Sequence, residues 1–304
     1  MTRLRWASWA SVVLAAGVSF GACGGKSAED VRAERASFVR KADPVCEKAS
    51  ADLARGEQPR NYTTLGARLQ RDQKTLRTAV SDLHGLRKEL GDSASPQIVA
   101  FDRRADAVLA AAKPIGEHIE LADSSAARRS AERLRRAYAE LYDAAGKAKL
   151  RQCGRGGNRA ADTVLFTVYR SEYIIVNSDV NLRLRFLDED PQSFEAFRRN
   201  LRRSLKLVVN YRKRMGRLAP PKKVLRRRHR LLLRRTTQAL GSARRLLAIA
   251  NSGQAAVATG GARSLALRVV RQADLADAVD RSIRRVLRSP GSRRRTPSPD
   301  TNSA

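Results

Sequence analysis

What the chain lacks narrows it before any motif is sought. Among 304 residues there are three histidines, His84, His118 and His229, on separate predicted helices and none with a second ligand four residues on. No metal or haem site is therefore expected. No C-x-x-C pair, no Ser-His-Asp arrangement and no Gly-rich phosphate loop can be placed, and Glu117, His118 and Glu120 read as a solvated helix face. The chain is accordingly read as a non-enzyme with no cofactor and no metal. Aromatics are 5% of the sequence, so its cores must be built from Leu, Ala and Val. The longest apolar run is about 15 residues, short of the roughly 20 that span a bilayer. Acid is missing too: between Ala196 and Ala273 there is none.

What is present is basic. Lys and Arg number 61 against 30 Asp and Glu, a formal net charge of +31, while 42% apolar residues suffice for one large or two ordinary domains. Of the 61, 49 are Arg, a skew that a GC-rich genome also produces, so the charge does not by itself mark a binding site. It is uneven: residues 1–154 carry 27 basic and 19 acidic side chains, residues 155–304 carry 34 and 11.

The N-terminus sets an address. Arg3 and Arg5 precede the uncharged run from Trp6 to Phe20, and Gly21-Ala22 leads into Cys23, the layout of a secretory signal. With its cysteine directly after two small residues, this stretch resembles a bacterial lipoprotein signal, although Phe20 stands where Leu is usual. The resemblance implies a signal peptide over 1–22, lipidation of Cys23, export, and a protein held on the outer face of the cytoplasmic membrane. An ordinary cleaved signal and an uncleaved anchor compete with it. Residues 23–30 read as a tether. In an oxidising compartment Cys46 and Cys153 then remain as one potential disulfide, with two free buried thiols the alternative.

From residue 31 to 154 apolar residues recur at spacings of three and four, the period of amphipathic helices. Asp43-Pro44 reads as a cap and first helical residue at which the first main helix restarts. Leu69, Leu76, Leu83 and Leu90 form a heptad stripe with Leu65 and Val80 over about 62–90. Ser95-Pro96 opens a third helix with Ile98, Phe101, Ala105, Val108, Ala112, Ile115 and Ile119 inward and a kink expected at Pro114. A fourth covers about 125–149. Four such helices joined by short loops suit an antiparallel up-down bundle, whose topology brings Cys46 and Cys153 to the same end. The stretch Phe38-Val39-Arg40-Lys41-Ala42-Asp43-Pro44-Val45-Cys46, together with Cys153-Gly154, resembles a family of exported helical-bundle proteins from high-GC bacteria. In that family an F-V-x-x-A-D-x-x-C stretch opens the domain and C-G closes it. The resemblance covers about 36–154 and implies export, a bundle and a paired cysteine, but no reaction.

After a Gly- and Arg-rich linker, residues 155–288 read as a second, basic helical bundle, and 289–304 as a disordered tail. Leu165, Tyr169, Tyr173, Val176, Val180 and Leu187 form one seam, although the β-branched content of 164–176 makes a strand the competing reading. Asp188-Glu189-Asp190-Pro191 is a break and Ser193 a cap. The next helix has Phe194, Phe197, Leu201, Leu205, Val208, Tyr211, Met215 and Leu218 inward. Another follows Pro220-Pro221, and the last follows an interruption at Gly260-Gly261. The fold class is thus all-α, two antiparallel four-helix bundles. An offset of about 125 residues between their breaks suggests a distant duplication, which helices of similar length also mimic by chance.

The basic side chains of the second half are the candidate anion-binding residues: Arg198, Arg199, Arg202 and Arg203 on one helix, and Arg226, Arg227, Arg228 and Arg230 on the next. Like charges four apart destabilise a helix by a few tenths of a kcal/mol, which a counter-anion would relieve. Beside the membrane contact through the N-terminal lipid, the expected partners are anionic lipid headgroups or a cell-wall polyanion. Export argues against nucleic acid, and a solvated face produced by composition is the bland alternative. Two functions are carried forward: a surface-anchored binding or scaffold module, and a secreted ligand carrier or enzyme with a pocket between the bundles.

Overall fold

A computed structural model describes residues 26–55, 57–155, 158–178 and 193–288. The signal segment with Cys23, the positions Val180 and Leu187, the break at 188–191 and the tail 289–304 lie outside the described residues. Every regular element among the described residues is helical. The helices are α1 (Ala28–Ala54), α2 (Tyr62–Leu90, continued by a 3-10 turn over Gly91–Ser93), α3 (Pro96–Glu120), α4 (Ser124–Lys147), α5 (Asn158–Ser178), α6 (Phe194–Gly216), α7 (Lys223–Asn251), the single turn α8 (Gln254–Val257) and α9 (Gly260–Arg288).

The helix ends follow local chemistry. Ser27 and Asp30 form a reciprocal capping box, so α1 begins inside the stretch read as a tether. Asn61 caps α2, Ser95 caps α3 ahead of Pro96, and Ser193 caps α6, each by accepting a backbone N–H with its side-chain oxygen. The expected restart of α1 at Asp43-Pro44 does not occur: α1 runs through Pro44. Proline deletes one backbone donor, but the helix on either side is held by burial of Phe38, Ala42 and Cys46. The Asp43 carboxylate serves elsewhere, accepting the backbone N–H groups of Arg151 and Gln152. α3 likewise passes through Pro114, and the Gln73 amide from α2 donates to the neighbouring carbonyls of Ala112 and Lys113. The interruption expected at Gly260-Gly261 occupies 252–259, where Gly253 takes a φ of +116° and the single turn α8 separates two breaks, the second directly before Gly260. Both Gly260 and Gly261 sit in the first turn of α9.

Successive helices are antiparallel, and side-chain contacts fix their register. Lys41 meets Glu89 (α1 with α2), His84 meets Asp106 (α2 with α3), Arg104 meets Glu140 (α3 with α4) and Arg135 meets Asp162 (α4 with α5). In the second half Arg212 meets Thr237 (α6 with α7), and Arg228 meets the Ser282 carbonyl (α7 with α9). The first core gathers the expected α2 stripe, all seven expected α3 positions and, from α4, Ala127, Ala131, Leu134, Tyr138, Leu141 and Ala145. The second gathers Leu201, Leu205, Val208, Tyr211 and Met215 of α6 with Leu225, Leu232, Leu240, Ala243 and Leu246 of α7 and Val269, Ala276 and Ile283 of α9.

α5 belongs to both cores. Ala161, Val164, Leu165 and Val168 enter the first, and Phe166, Tyr169, Tyr173 and Val176 enter the second. Every residue from Val164 to Tyr169 is buried. Clasped on both sides, Val164 to Tyr169 shows no polar stripe and is as rich in β-branched and aromatic residues as a buried strand, while Ile174 and Ile175 further along are exposed; the competing strand reading is corrected by the structure. Cys46 and Cys153 are joined at the end of the first bundle, with Cα atoms 4.8 Å apart.

Candidate anion-binding surface

The α6–α7 pair carries 17 Lys and Arg side chains and a single acid, Glu195. Both helices form because their apolar positions recur at helical spacing, and burying that seam forces the remaining positions, more of them basic than of any other kind, to the outside. The eight candidate arginines do not make one patch. Arg202 at the start of α6 donates to Asn251 at the end of α7 (2.8 Å), which places Arg198, Arg199, Arg202 and Arg203 beside the far end of α7. At 1.5 Å of rise per residue, that end is roughly 32–38 Å from the stretch Arg226 to Arg230. Within the first group Arg198 is paired with Glu195 at 2.7 Å.

The second group is more coherent. Arg227, Arg228 and Arg230 line one open hollow of about 650 Å³ together with Leu231 and Arg234. Of these, Arg228 is half-buried and donates to the Ser282 carbonyl at 2.7 Å, tying α7 to α9. Arg227, Arg230 and Arg234 make no hydrogen bond or ion pair among the described residues. They recur at i, i+3 and i+7 around Leu231, so three guanidinium groups share one face with no acid near them in sequence. Such a face can hold phosphate or carboxylate groups through forked, charge-assisted hydrogen bonds.

Beneath this surface lies a buried polar cluster that the residue pattern did not disclose. His229, 3% exposed, places Nε2 3.0 Å from the Met215 carbonyl and Nδ1 3.1 Å from the Tyr169 hydroxyl. A carbonyl only accepts, so Nε2 carries the hydrogen and Nδ1 of the neutral ring accepts from Tyr169. Burial pushes the His229 pKa below its ordinary value, against a smaller upward pull from the Met215 hydrogen bond. Alongside, Asp280 accepts from the Tyr173 hydroxyl and the Asn177 amide, and from Arg284 Nε at 2.7 Å. Burial first, and the Asp280 charge second, push the hydroxyls of Tyr169, Tyr173 and Tyr211 upward. The one signal for this cluster in the sequence is periodicity: His229 falls four residues after Leu225 and three before Leu232, and Asp280 falls between Ala276 and Ile283 at core spacing. None of these side chains lines the α7 hollow.

The other two histidines stand apart. His84 Nε2 lies 3.0 Å from Asp106 and Nδ1 3.6 Å from Asp102, two carboxylates on the facing side of α3, and His118 is half-buried on α3. Among the described residues no group of three or more His, Cys, Asp and Glu side chains is placed to hold a metal ion. No described helix is long and apolar enough to cross a membrane. No family model, no curated protein and no solved structure matches the chain.

Proposed function

We propose that the protein is an extracytoplasmic lipoprotein, anchored through Cys23, that acts as a binding or scaffold module and engages anionic lipid headgroups or a wall polyanion through the N-terminal half of α7. The observation that carries this reading is the exposed trio Arg227, Arg230 and Arg234, unpaired among the described residues, around Leu231. Cationic groups near an anionic surface contribute about 1 kcal/mol each, and a lipid anchor supplies the proximity that a few kcal/mol would not provide alone. The first bundle, stapled by its disulfide, serves as the spacer between tether and basic face.

The test uses a soluble form beginning after Cys23, titrated with neutral vesicles, with vesicles containing anionic lipid and with a soluble polyanion. Binding to the anionic partners that weakens steeply as salt rises is expected, and the triple replacement Arg227→Gln, Arg230→Gln, Arg234→Gln should abolish most of it. Undiminished binding by the triple variant would remove the assignment of this face. Separately, Cys23→Ala should release the full-length protein from membranes, and retention would remove the anchor.

A further inference from the structure

A second hollow, of about 430 Å³, lies on the seam between the bundles, lined by Glu57, Gln58, Arg60, Arg170 and Arg288. Its cations come from three separate elements. Arg60 immediately precedes the Asn61 cap of α2, Arg170 projects from α5, the helix shared by both cores, and Arg288 is the last residue of α9. The Arg170 Nε is buried and has no hydrogen-bond partner, and the side chains of Arg60 and Arg288 make no hydrogen bond or ion pair among the described residues. Burial first, and the charge of Arg60 second, hold the Arg170 guanidinium below its usual pKa. The lining carboxylate, Glu57, forms no ion pair among the described residues, so the hollow keeps a surplus of two positive charges.

We infer that this seam binds a phosphate dianion, either free or as the terminal group of a phosphomonoester. The surplus of +2 matches a dianion. Three guanidinium forks carried by separate parts of the chain suit the four oxygens of a tetrahedral group better than the two coplanar oxygens of a carboxylate. Gln58 adds a neutral amide that can donate to an ester or hydroxyl oxygen. This site is independent of the α7 face: it shares no residue with it and is bounded by both bundles, so its ligand bridges them.

The soluble chain beginning after Cys23 is titrated calorimetrically at neutral pH and constant ionic strength with inorganic phosphate, with glycerol phosphate, and with chloride as control. Saturable binding of phosphate that chloride does not reproduce is expected. Glycerol phosphate binding as well identifies a phosphomonoester ligand, and phosphate binding alone identifies the free anion; both support the site. Arg170→Met should weaken phosphate by about tenfold or more, the worth of one charge-assisted hydrogen bond, and the exposed replacement Arg60→Gln, which does not touch a core, should do the same. The triple α7 variant should bind phosphate as the unmodified chain does while losing vesicle binding, which separates this site from the α7 reading. Phosphate affinity unchanged in both Arg170→Met and Arg60→Gln, or binding that chloride equals, would overturn the inference.

Discussion

The carboxylate of Asp43, in the middle of α1, accepts the backbone N–H of Arg151 at 2.9 Å, 108 residues further along the chain. The same Oδ1 accepts the N–H of Gln152 at 3.0 Å, so one side chain caps the segment leaving α4. This contact sits one residue ahead of Cys153 and three residues before Cys46, so a hydrogen-bonded clasp lies beside a covalent one. Asp43→Ala leaves two backbone donors without their partner and should cost about 1–2 kcal/mol. Asp43→Asn keeps an accepting oxygen and should lose less. Denaturant midpoints of the two variants measure the difference.

The disulfide closes a loop with a sequence separation of 107 residues. In the chain-entropy model a loop of that size stabilises the fold by about 4–5 kcal/mol. Reduction, or Cys46→Ser with Cys153→Ser, should therefore lower the melting temperature well beyond the effect of Asp43→Ala. A soluble form lacking Cys23 should show no free thiol when denatured without reductant. One or more reactive thiols there would mean that the bond does not form in the exported protein.

Gly154 completes the same corner. It holds φ at +78°, and a Cβ built on it would lie 2.9 Å from the backbone Cα of Tyr142. Gly91 also has positive φ, +52°, but nothing lies within 4 Å of its Cβ position. The pair separates two effects. Gly91→Ala, at φ +52° and ψ −126°, bears backbone strain alone, about 1–3 kcal/mol, whereas Gly154→Ala bears positive-φ strain and a backbone overlap that no rotamer can relieve. The Gly154 variant should be the less stable of the two by a clear margin in matched unfolding curves, and equal losses would show that the corner yields.

The periodic parts of the fold were legible and the long-range parts were not. Leu69, Leu76, Leu83 and Leu90 announce their shared face by spacing alone, and all four are buried. The residues of the Asp43 clasp were legible, but its partner was not: Asp-Pro in a helical stretch reads locally as a cap, and only the folded bundle brings Arg151 to it. The α5 segment was ambiguous for a physical reason, since burial on both sides erases the polar stripe that distinguishes a helix from a strand. In the candidate site, sequence proximity was a poor guide. Arg227 and Arg228 are neighbours, yet the roughly 100° of rotation between them leaves one in solvent and sends the other to the Ser282 carbonyl. Arg198 to Arg203 share the composition of Arg226 to Arg230 but lie at the opposite end of the hairpin. His229 was hidden because arginines surround it in sequence, and Asp280 because it stands beside Arg281 three residues after Asp277, which makes each core polar residue look like part of a solvated face.

His229 gives the second bundle a pH dependence whose sign is fixed by burial. Its pKa in the folded protein lies below the ordinary value near 6.5, so the unfolded chain takes up the proton more readily. The contribution of the neutral, hydrogen-bonded ring is therefore complete above about pH 6.5 and is lost as pH falls through the lower folded value. Asp72 and Asp102 work in the opposite sense. Burial raises both, against the smaller opposing pulls of Arg68 and His84 respectively, so their ionised forms cost stability that protonation relieves further down the acid range. The expected profile is a fall in stability from neutral pH toward pH 5, flattening where the carboxylates take up protons. His229→Gln can still donate to the Met215 carbonyl and accept from Tyr169, but it cannot be protonated. It should reduce stability at neutral pH and flatten the neutral-to-acid slope, as read from urea midpoints at matched ionic strength. A slope identical to that of the unmodified chain would place the titrating group elsewhere in the molecule.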